Sequence, residues 1–140
     1  GQMLSVEGVT LRHVLIGATG YAVPRLNGVA LLGSTMEQVG FEASTTETGV
    51  AQIRRSAREI SVTLGDAREV SRWAGLRPVT PDLLPIIGVD GDVSTVIYAC
   101  GHSRNGILLG PLTGRCVGGL VSGADPEVDL MPFEMRRFDH

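Results

Sequence analysis

Glycine is the feature that most restricts the fold of this sequence: 19 of its 140 residues are glycine, against a usual fraction of about 7%. The glycines are scattered, with neither a collagen-like period nor a low-complexity tract. Glycine adopts backbone conformations that other residues avoid and lets two segments approach closely, so it gathers in turns and tight contacts. We therefore expect a chain of short elements joined by frequent tight turns.

Residues 1–33 contain four short apolar runs that are typical of β-strands: GQMLSV, HVLIGA, GYAVPR and GVALLGST. Asn27 and Gly28 separate the last two runs, and Asn-Gly between apolar segments is a strong signal for a β-hairpin. We predict a hairpin with arms at 21–25 and 29–33. Residues 67–76 also suit a strand, and STVIYAC, rich in β-branched residues, predicts a buried strand.

One long helix is predicted within residues 44–64, where apolar residues recur at helical spacing and form a single stripe. Ser and Thr at positions 44–46 are candidate N-caps, because their hydroxyls accept from the first free backbone N–H groups. The stripe consists of Val50, Ile53, Ala57, Ile60 and Leu64.

A second, glycine-rich helix is predicted from Pro111, which suits a first turn, to Gly123, which suits a C-terminal stop. Gly114, Gly118 and Gly119 lie inside it, and each costs about 0.5–1 kcal/mol relative to alanine. We expect close packing against a sheet or a cofactor to offset this cost. Strands combined with these two helices indicate an α+β fold.

Composition argues against several classes of function. The net charge of −3 and pI near 5.5 argue against a nucleic-acid interface, and no apolar run approaches the roughly 18 residues of a membrane span. No signal-peptide pattern opens the chain, which favours a cytoplasmic protein. Cys100 and Cys116 form no CxxC and lie near no metal-ligand pattern, so we expect two buried free thiols and no metal site.

The segment YACGHSRNGILLGP, residues 98–111, places polar residues between two apolar runs. A strand, a glycine-containing loop and a helix start together form an arrangement that binds anions, because the first N–H groups of a helix lack internal partners. Asn105 and Gly106 tolerate the unusual dihedral angles that such a loop needs. A strand-to-helix turn with a polar surface is the alternative interpretation.

The segment WAGLRPVTPD places Arg77 among apolar neighbours. A guanidinium group binds a carboxylate through two parallel hydrogen bonds, and that carboxylate is either Asp82 of the same chain or part of a ligand. Spacing alone favours Asp82. Tyr21, at the start of GYAVPR, either offers its hydroxyl to a polar ligand or lies in a core or an interface.

Three segments together resemble the C-terminal part of the glycine oxidase and D-amino-acid oxidase family of FAD-dependent flavoproteins: GYAVPRLNGVALLGSTMEQVGF, WAGLRPVTPDLLPIIG and VIYACGHSRNGILLGP. The opening GQML resembles a motif that precedes them, and the similarity extends to about Phe138. The resemblance implies a substrate-binding domain at residues 1–95, with an antiparallel or mixed sheet and one long helix. Residues 96–140 would supply the last strand, flavin-lining loop and glycine-rich helix of an incomplete FAD-binding domain.

The resemblance also implies the site residues and the reaction. Arg77 and Tyr21 would bind the substrate carboxylate, Met36 would border the substrate pocket, and Arg104 would lie on the substrate side of the flavin. The implied flavin-lining residues are His102, Ser103, Arg104, Asn105, Gly106, Ile107 and Leu108. The implied reaction oxidises the C–N bond of a small amino acid or amine by hydride transfer to FAD, and it depends on positioning more than on an acid or base.

The FAD-binding motif of this family, G-x-G-x-x-G after an N-terminal strand, has no match in this sequence. We therefore expect FAD to be held together with a dinucleotide-binding half or a separate subunit, and not by this chain alone. Apolar surface left uncovered would favour a homo-oligomer. The alternative function is a non-catalytic module that binds a partner chain or a small carboxylate without redox chemistry.

Overall fold

The structure is a computed structural model that describes residues 1–139, which form two compact units, Gly1–Leu76 and the chain from Arg77 onward. The first unit contains β1 (Gln2–Glu7), β2 (Leu15–Ile16), β3 (Tyr21–Pro24), β4 (Ala30–Gly33), α1 (Glu47–Ile60), α2 (Val62–Asp66) and β5 (Arg68–Ala74). The second contains β6 (Ile86–Val89), β7 (Ile97–Cys100), α3 (Gly106–Ser122) and 3₁₀ turns at Ser103–Asn105, Met131–Phe133 and Met135–Phe138. The functional division expected after residue 95 stays a prediction.

The first unit is built on a five-stranded antiparallel sheet in the order β2-β3-β4-β1-β5. The predicted hairpin is present as β3 and β4, with Ala22 opposite Leu32 and Gly28 at a φ of 77° in the turn. Alternate side chains of the strands point into one core, and burying each large one contributes about 1.5–3 kcal/mol. The buried strand residues include Leu4, Val6, Ala22, Ala30 and Leu32.

The predicted stripe of α1 packs into this core, with Val50, Ile53 and Ala57 all buried. Among the candidate N-caps it is Thr46 whose hydroxyl accepts from the backbone N–H of Gly49, at 3.1 Å. The prediction of one continuous helix is wrong, because Ser61 is extended and separates α1 from α2. The apolar stripe nevertheless continues across the break, since α2 packs back against α1.

The second unit has a smaller core under the β6–β7 hairpin, formed by Ile87, Cys116 and Leu130 with surrounding apolar side chains. The prediction of a buried strand in STVIYAC is wrong: only Ile97–Cys100 is a strand, and its residues are half-buried or exposed. Within the described residues β7 pairs on one side only, with β6. Cys116 is buried as expected, but Cys100 at the strand end is exposed, and both are free thiols.

Helix α3 begins at Gly106, five residues before the predicted start, so Pro111 lies inside it. The 3₁₀ turn at Ser103–Asn105 runs directly into α3. Gly123 ends the helix with a φ of 71°, as predicted. None of the helices within residues 1–139 is long and apolar enough to cross a membrane.

The close packing expected along the glycines of α3 is found at one of them. A side chain at Gly119 would meet the carbonyl oxygen of Ala124 at 3.5 Å. Gly114 and Gly118 have no neighbouring atoms within 4 Å of a Cβ position. Within the described residues, the packing of this helix therefore offsets the conformational cost of glycine only at its C-terminal end.

Candidate functional site

Tyr21 begins β3 and lies half-buried, directly opposite Gly33 of β4. A Cβ at Gly33 would lie 2.6 Å from the Tyr21 hydroxyl, so the glycine leaves the room that the phenol ring occupies. The hydroxyl donates to the Sδ atom of Met3 at 3.5 Å. A thioether is a weak acceptor, so the hydroxyl can exchange this contact for a carboxylate at little cost.

Met36 follows β4 and is 75% exposed, although the residues on both sides of it are anchored. The Thr35 hydroxyl is fully buried, accepts from the backbone N–H of Gln2 at 2.7 Å and donates to Glu37 at 2.9 Å. The Gln2 side-chain amide also donates to Glu37, at 2.8 Å. This network fixes the backbone on either side of Met36, whose side chain points outward from the first unit.

The second unit supplies Arg77, half-buried at its first residue, and the exposed Arg104. The backbone N–H of Ser103 donates to the carbonyl oxygen of Pro78 at 3.0 Å. Each predicted arginine is thus next in sequence to one partner of this hydrogen bond. The structure therefore brings together the two segments that carry Arg77 and Arg104.

Asp82, the internal partner that spacing favoured for Arg77, is bound by Arg137. The guanidinium donates to both carboxylate oxygens, from Nε at 2.7 Å and from Nη2 at 3.1 Å. These hydrogen bonds hold the pKa of Asp82 well below its ordinary value, and burial opposes the shift. Both oxygens of this carboxylate are therefore already engaged by a cation from the C-terminal tail.

The loop between β7 and α3 has the predicted arrangement of strand, turn and helix start, but the unusual dihedral angles fall on other residues. Gly101 has a φ of 77° and Ser103 a φ of 52°, whereas Asn105 and Gly106 have negative φ values. Gly101 is buried, and a Cβ there would lie 2.7 Å from Cγ2 of Thr80. Close approach to the 78–85 segment, as well as the turn itself, therefore requires a glycine at this position.

The remaining residues of the predicted flavin-lining segment surround the start of α3. His102 is anchored by a hydrogen bond between its Nε2 and the Thr113 hydroxyl, at 2.9 Å. The Asn105 side chain makes no capping hydrogen bond at the start of α3, and Ile107 and Leu108 are 97% and 79% exposed. An open helix start beside exposed apolar side chains suits a ligand with both a polar edge and an apolar face.

Sequence reasoning assigned no role to two polar residues that organise these segments, Gln2 and Arg137. Gln2 is 2% exposed and links β1, the segment around Met36 and the start of α1. Arg137 links the C-terminal tail to the segment that follows Arg77. A signal for Gln2 existed in GQML, because a glutamine inside an apolar strand needs partners when it is buried.

Comparison with known proteins decides the family. Residues 1–120 match the sequence profile of the DAO family, described as FAD dependent oxidoreductase. The chain belongs to this family. The resemblance inferred from the sequence motifs is thereby confirmed. The α+β fold of the chain, with its antiparallel sheets, agrees with the solved glycine oxidase described below.

Among curated members, the glycine oxidase of Pseudomonas aeruginosa is 37% identical over 135 residues, covering 95% of this chain and 37% of the relative. A hydrogen cyanide synthase subunit of Pseudomonas protegens is 36% identical and covers 99% of this chain and 34% of the relative. The solved glycine oxidase of Geobacillus kaustophilus matches 98% of this chain and 38% of its own, with 32% identity and a TM-score of 0.90. The chain therefore spans little more than a third of the length of these relatives.

Proposed function

We propose that this chain carries the substrate-binding region and the flavin-contacting C-terminal region of an oxidoreductase that oxidises the C–N bond of a small amino acid or amine. The observation that carries the proposal is the match of 98% of the chain to a glycine oxidase, at a TM-score of 0.90 and 32% identity. Two Pseudomonas relatives named glycine oxidase, each 37% identical, support the same substrate class. In this proposal the substrate-binding domain comprises residues 1–95.

In the proposed site, Arg77 binds the substrate carboxylate through its guanidinium fork, and Tyr21 donates a further hydrogen bond from its hydroxyl. Met36 borders the pocket, since its side chain is exposed while its backbone is held on both sides. Arg104 adds positive charge on the substrate side. These residues orient the α-carbon of the substrate and do not transfer a proton. They would lower the barrier to reaction by positioning the substrate.

The residues at 102–108 would hold the flavin ring of FAD. The chemistry of this segment fits that group: the uncapped start of α3 can face a polar ring edge, and Ile107 and Leu108 can contact an apolar ring face. When bound, FAD supplies the two-electron acceptor that takes hydride from the substrate. The positive end of α3 favours negative charge close to its first turn.

The proposal is tested by anaerobic titration of the FAD-loaded complex of this chain with a dinucleotide-binding half, using glycine, sarcosine, proline and a larger amino acid. We expect at least one of them to bleach the flavin absorbance. Arg77→Ala should weaken substrate binding by about 1.5–3 kcal/mol, the scale of a charged hydrogen-bonded contact. That loss corresponds to a rise in the dissociation constant of roughly 10-fold to 150-fold.

The matched control is Arg55→Ala, which removes the same charge from the exposed face of α1 and should leave substrate binding unchanged. Equal effects of the two variants would remove Arg77 from the site. Binding of small carboxylates without any flavin bleaching would favour the alternative of a non-catalytic module.

A further inference from the structure

Arg137, in the C-terminal 3₁₀ turn, uses all five of its side-chain N–H groups. Nε and Nη2 donate to the two carboxylate oxygens of Asp82, and Nη2 also donates to the carbonyl oxygen of Leu84 at 2.9 Å. Nη1 donates to the carbonyl oxygens of Phe133 and Glu134, each at 3.0 Å. The side chain is only 15% exposed, so this is a shielded and fully satisfied guanidinium rather than a loose surface ion pair.

The segment that Arg137 binds, residues 78–85, is itself a closed loop. The Thr80 hydroxyl donates to the carbonyl oxygen of Leu84 at 2.6 Å, and the backbone N–H of Leu84 donates to Oδ1 of Asp82 at 3.1 Å. Leu83 has a φ of 64°, which an L-residue adopts only when its surroundings impose it. Asp82 therefore shapes the loop and also joins it to the tail.

The N-terminal end of the same loop is fastened near the flavin-lining segment. The Pro78 carbonyl oxygen accepts from Ser103, and Thr80 packs against Gly101. Arg77 immediately precedes Pro78, so its backbone is joined directly to this loop. The N-terminal end of the loop is held by its contacts with residues 101–103. At the other end, Asp82 and Leu84 tie the loop to Arg137.

We propose that Arg137 is a positioning residue for substrate binding, which holds the 78–85 loop so that Arg77 is presented to the carboxylate in a fixed orientation. This inference rests on the proposed function of Arg77. Without the guanidinium of Arg137 the loop loses three of the hydrogen bonds that anchor it. The orientation of Arg77 is then no longer fixed in advance and has to be set when the ligand binds. The conformational entropy lost by ordering this side chain and its backbone on binding lowers the affinity for the carboxylate, while the reacting groups stay the same.

The test uses the FAD-loaded complex of this chain with a dinucleotide-binding half, with acetate as the carboxylate probe and acetamide as its neutral counterpart, both measured by calorimetry. Arg137→Gln should raise the acetate dissociation constant about threefold to thirtyfold, which lies within the range of coupling inside one hydrogen-bonded network. Acetamide binding should not change. With the amino-acid substrate, KM should rise by a similar factor while the rate of flavin reduction at saturation stays within twofold.

The matched control is Arg136→Gln, which removes the same charge from the next residue, 68% exposed and paired only with the nearby Glu134 among the contacts described for it. It should leave acetate affinity unchanged. Arg137→Lys keeps the charge but loses the fork, so it should give an intermediate effect. If Arg137→Gln does not fold, Arg137→Lys and Asp82→Asn test the same link with smaller changes.

A double-mutant cycle separates positioning from a general structural role. In an Arg77→Ala background, Arg137→Gln should cause no further loss of acetate affinity, because the residue that it positions is gone. Additive losses, or a lower melting temperature with unchanged acetate affinity, would overturn the positioning role while leaving the proposed function intact. No effect of Arg77→Ala by itself would remove Arg77 from the site and overturn this inference, whereas the proposed reaction is tested separately by flavin bleaching.

Discussion

Gly49→Ala tests whether the buried carboxamide of Gln2 organises the first unit. Gly49 is in the first turn of α1, and a Cβ there would lie 2.3–2.4 Å from three atoms of the Gln2 carboxamide. That group cannot simply rotate away. Its oxygen accepts from the backbone N–H of Thr46 at 2.8 Å, and its nitrogen donates to Glu37 and to the Thr46 hydroxyl at 2.8 and 3.1 Å.

The added methyl group therefore displaces the carboxamide and breaks these hydrogen bonds. Each neutral bond contributes about 0.5–1.5 kcal/mol net and the bond to the carboxylate about 1.5–3 kcal/mol. Alanine returns at most about 1 kcal/mol through its higher helix propensity. We expect the free energy of unfolding to fall by about 1.5–5 kcal/mol, the difference between these opposing effects.

The assay is urea unfolding followed by the fluorescence of Trp73, the single tryptophan, which lies in β5 opposite Met3 of β1. In a Gln2→Ala background the obstructing carboxamide is absent, so Gly49→Ala should become neutral or stabilising. If Gly49→Ala lowers stability equally in both backgrounds, the clash with Gln2 is not the cause and the reasoning is refuted.

Three further predictions concern charge and exposed surface. Arg137 keeps Asp82 ionised in the folded state to a lower pH than in the unfolded chain. The stabilisation of the fold by this ion pair is therefore complete at neutral pH. It should begin to decline as the pH falls below about 3.9, the ordinary pKa of an aspartate, and be lost as the pH falls further toward the lower pKa of the folded state. Acid titration of Asp82→Asn should therefore show a shallower fall in stability. The hydrogen bond from Tyr98 to Asp90 raises the pKa of the Tyr98 phenol, so ultraviolet titration in a Tyr21→Phe background should give a midpoint above 10.0 that drops in Asp90→Asn. The exposed apolar side chains of α3 should promote self-association, and a light-scattering mass that stays monomeric at high concentration would contradict this.

Local patterns predicted most of the elements because their causes are local. The hairpin follows from Asn27-Gly28, the start of α1 from Thr46 and the end of α3 from Gly123. The break at Ser61 was missed because apolar spacing is satisfied on both sides of it. A tertiary contact accompanies the break: the carbonyl oxygen of Gly65 accepts from Arg54 at 3.0 Å where α2 lies against α1.

The candidate site divides in the same way. The loop before α3 was predicted from its neighbouring elements, but the sequence did not identify Ser103 as the residue with positive φ. Its backbone N–H donates to Pro78, 25 residues earlier, a contact that local patterns do not show. Arg137 was missed because its partner Asp82 lies 55 residues away in the chain. Spacing offered Arg77 as the nearer cation, and only the fold shows that the tail delivers the cation that binds Asp82.

The glycines that first suggested a chain of tight turns serve two different purposes, which the sequence does not distinguish. Gly33, Gly49 and Gly65 each lie where a Cβ would come within 3 Å of another group, so they permit close approach. Gly114 and Gly118 face open space in a helix, where their conformational cost has no local compensation. Alanine at the first set should destabilise the chain, whereas alanine at either helical position should stabilise it by about 0.5–1 kcal/mol. The melting temperature is measured by circular dichroism. If Gly114→Ala instead lowered it, the exposed face of α3 would already be covered in solution. Self-association would then be the explanation, and the light-scattering mass would have to show it.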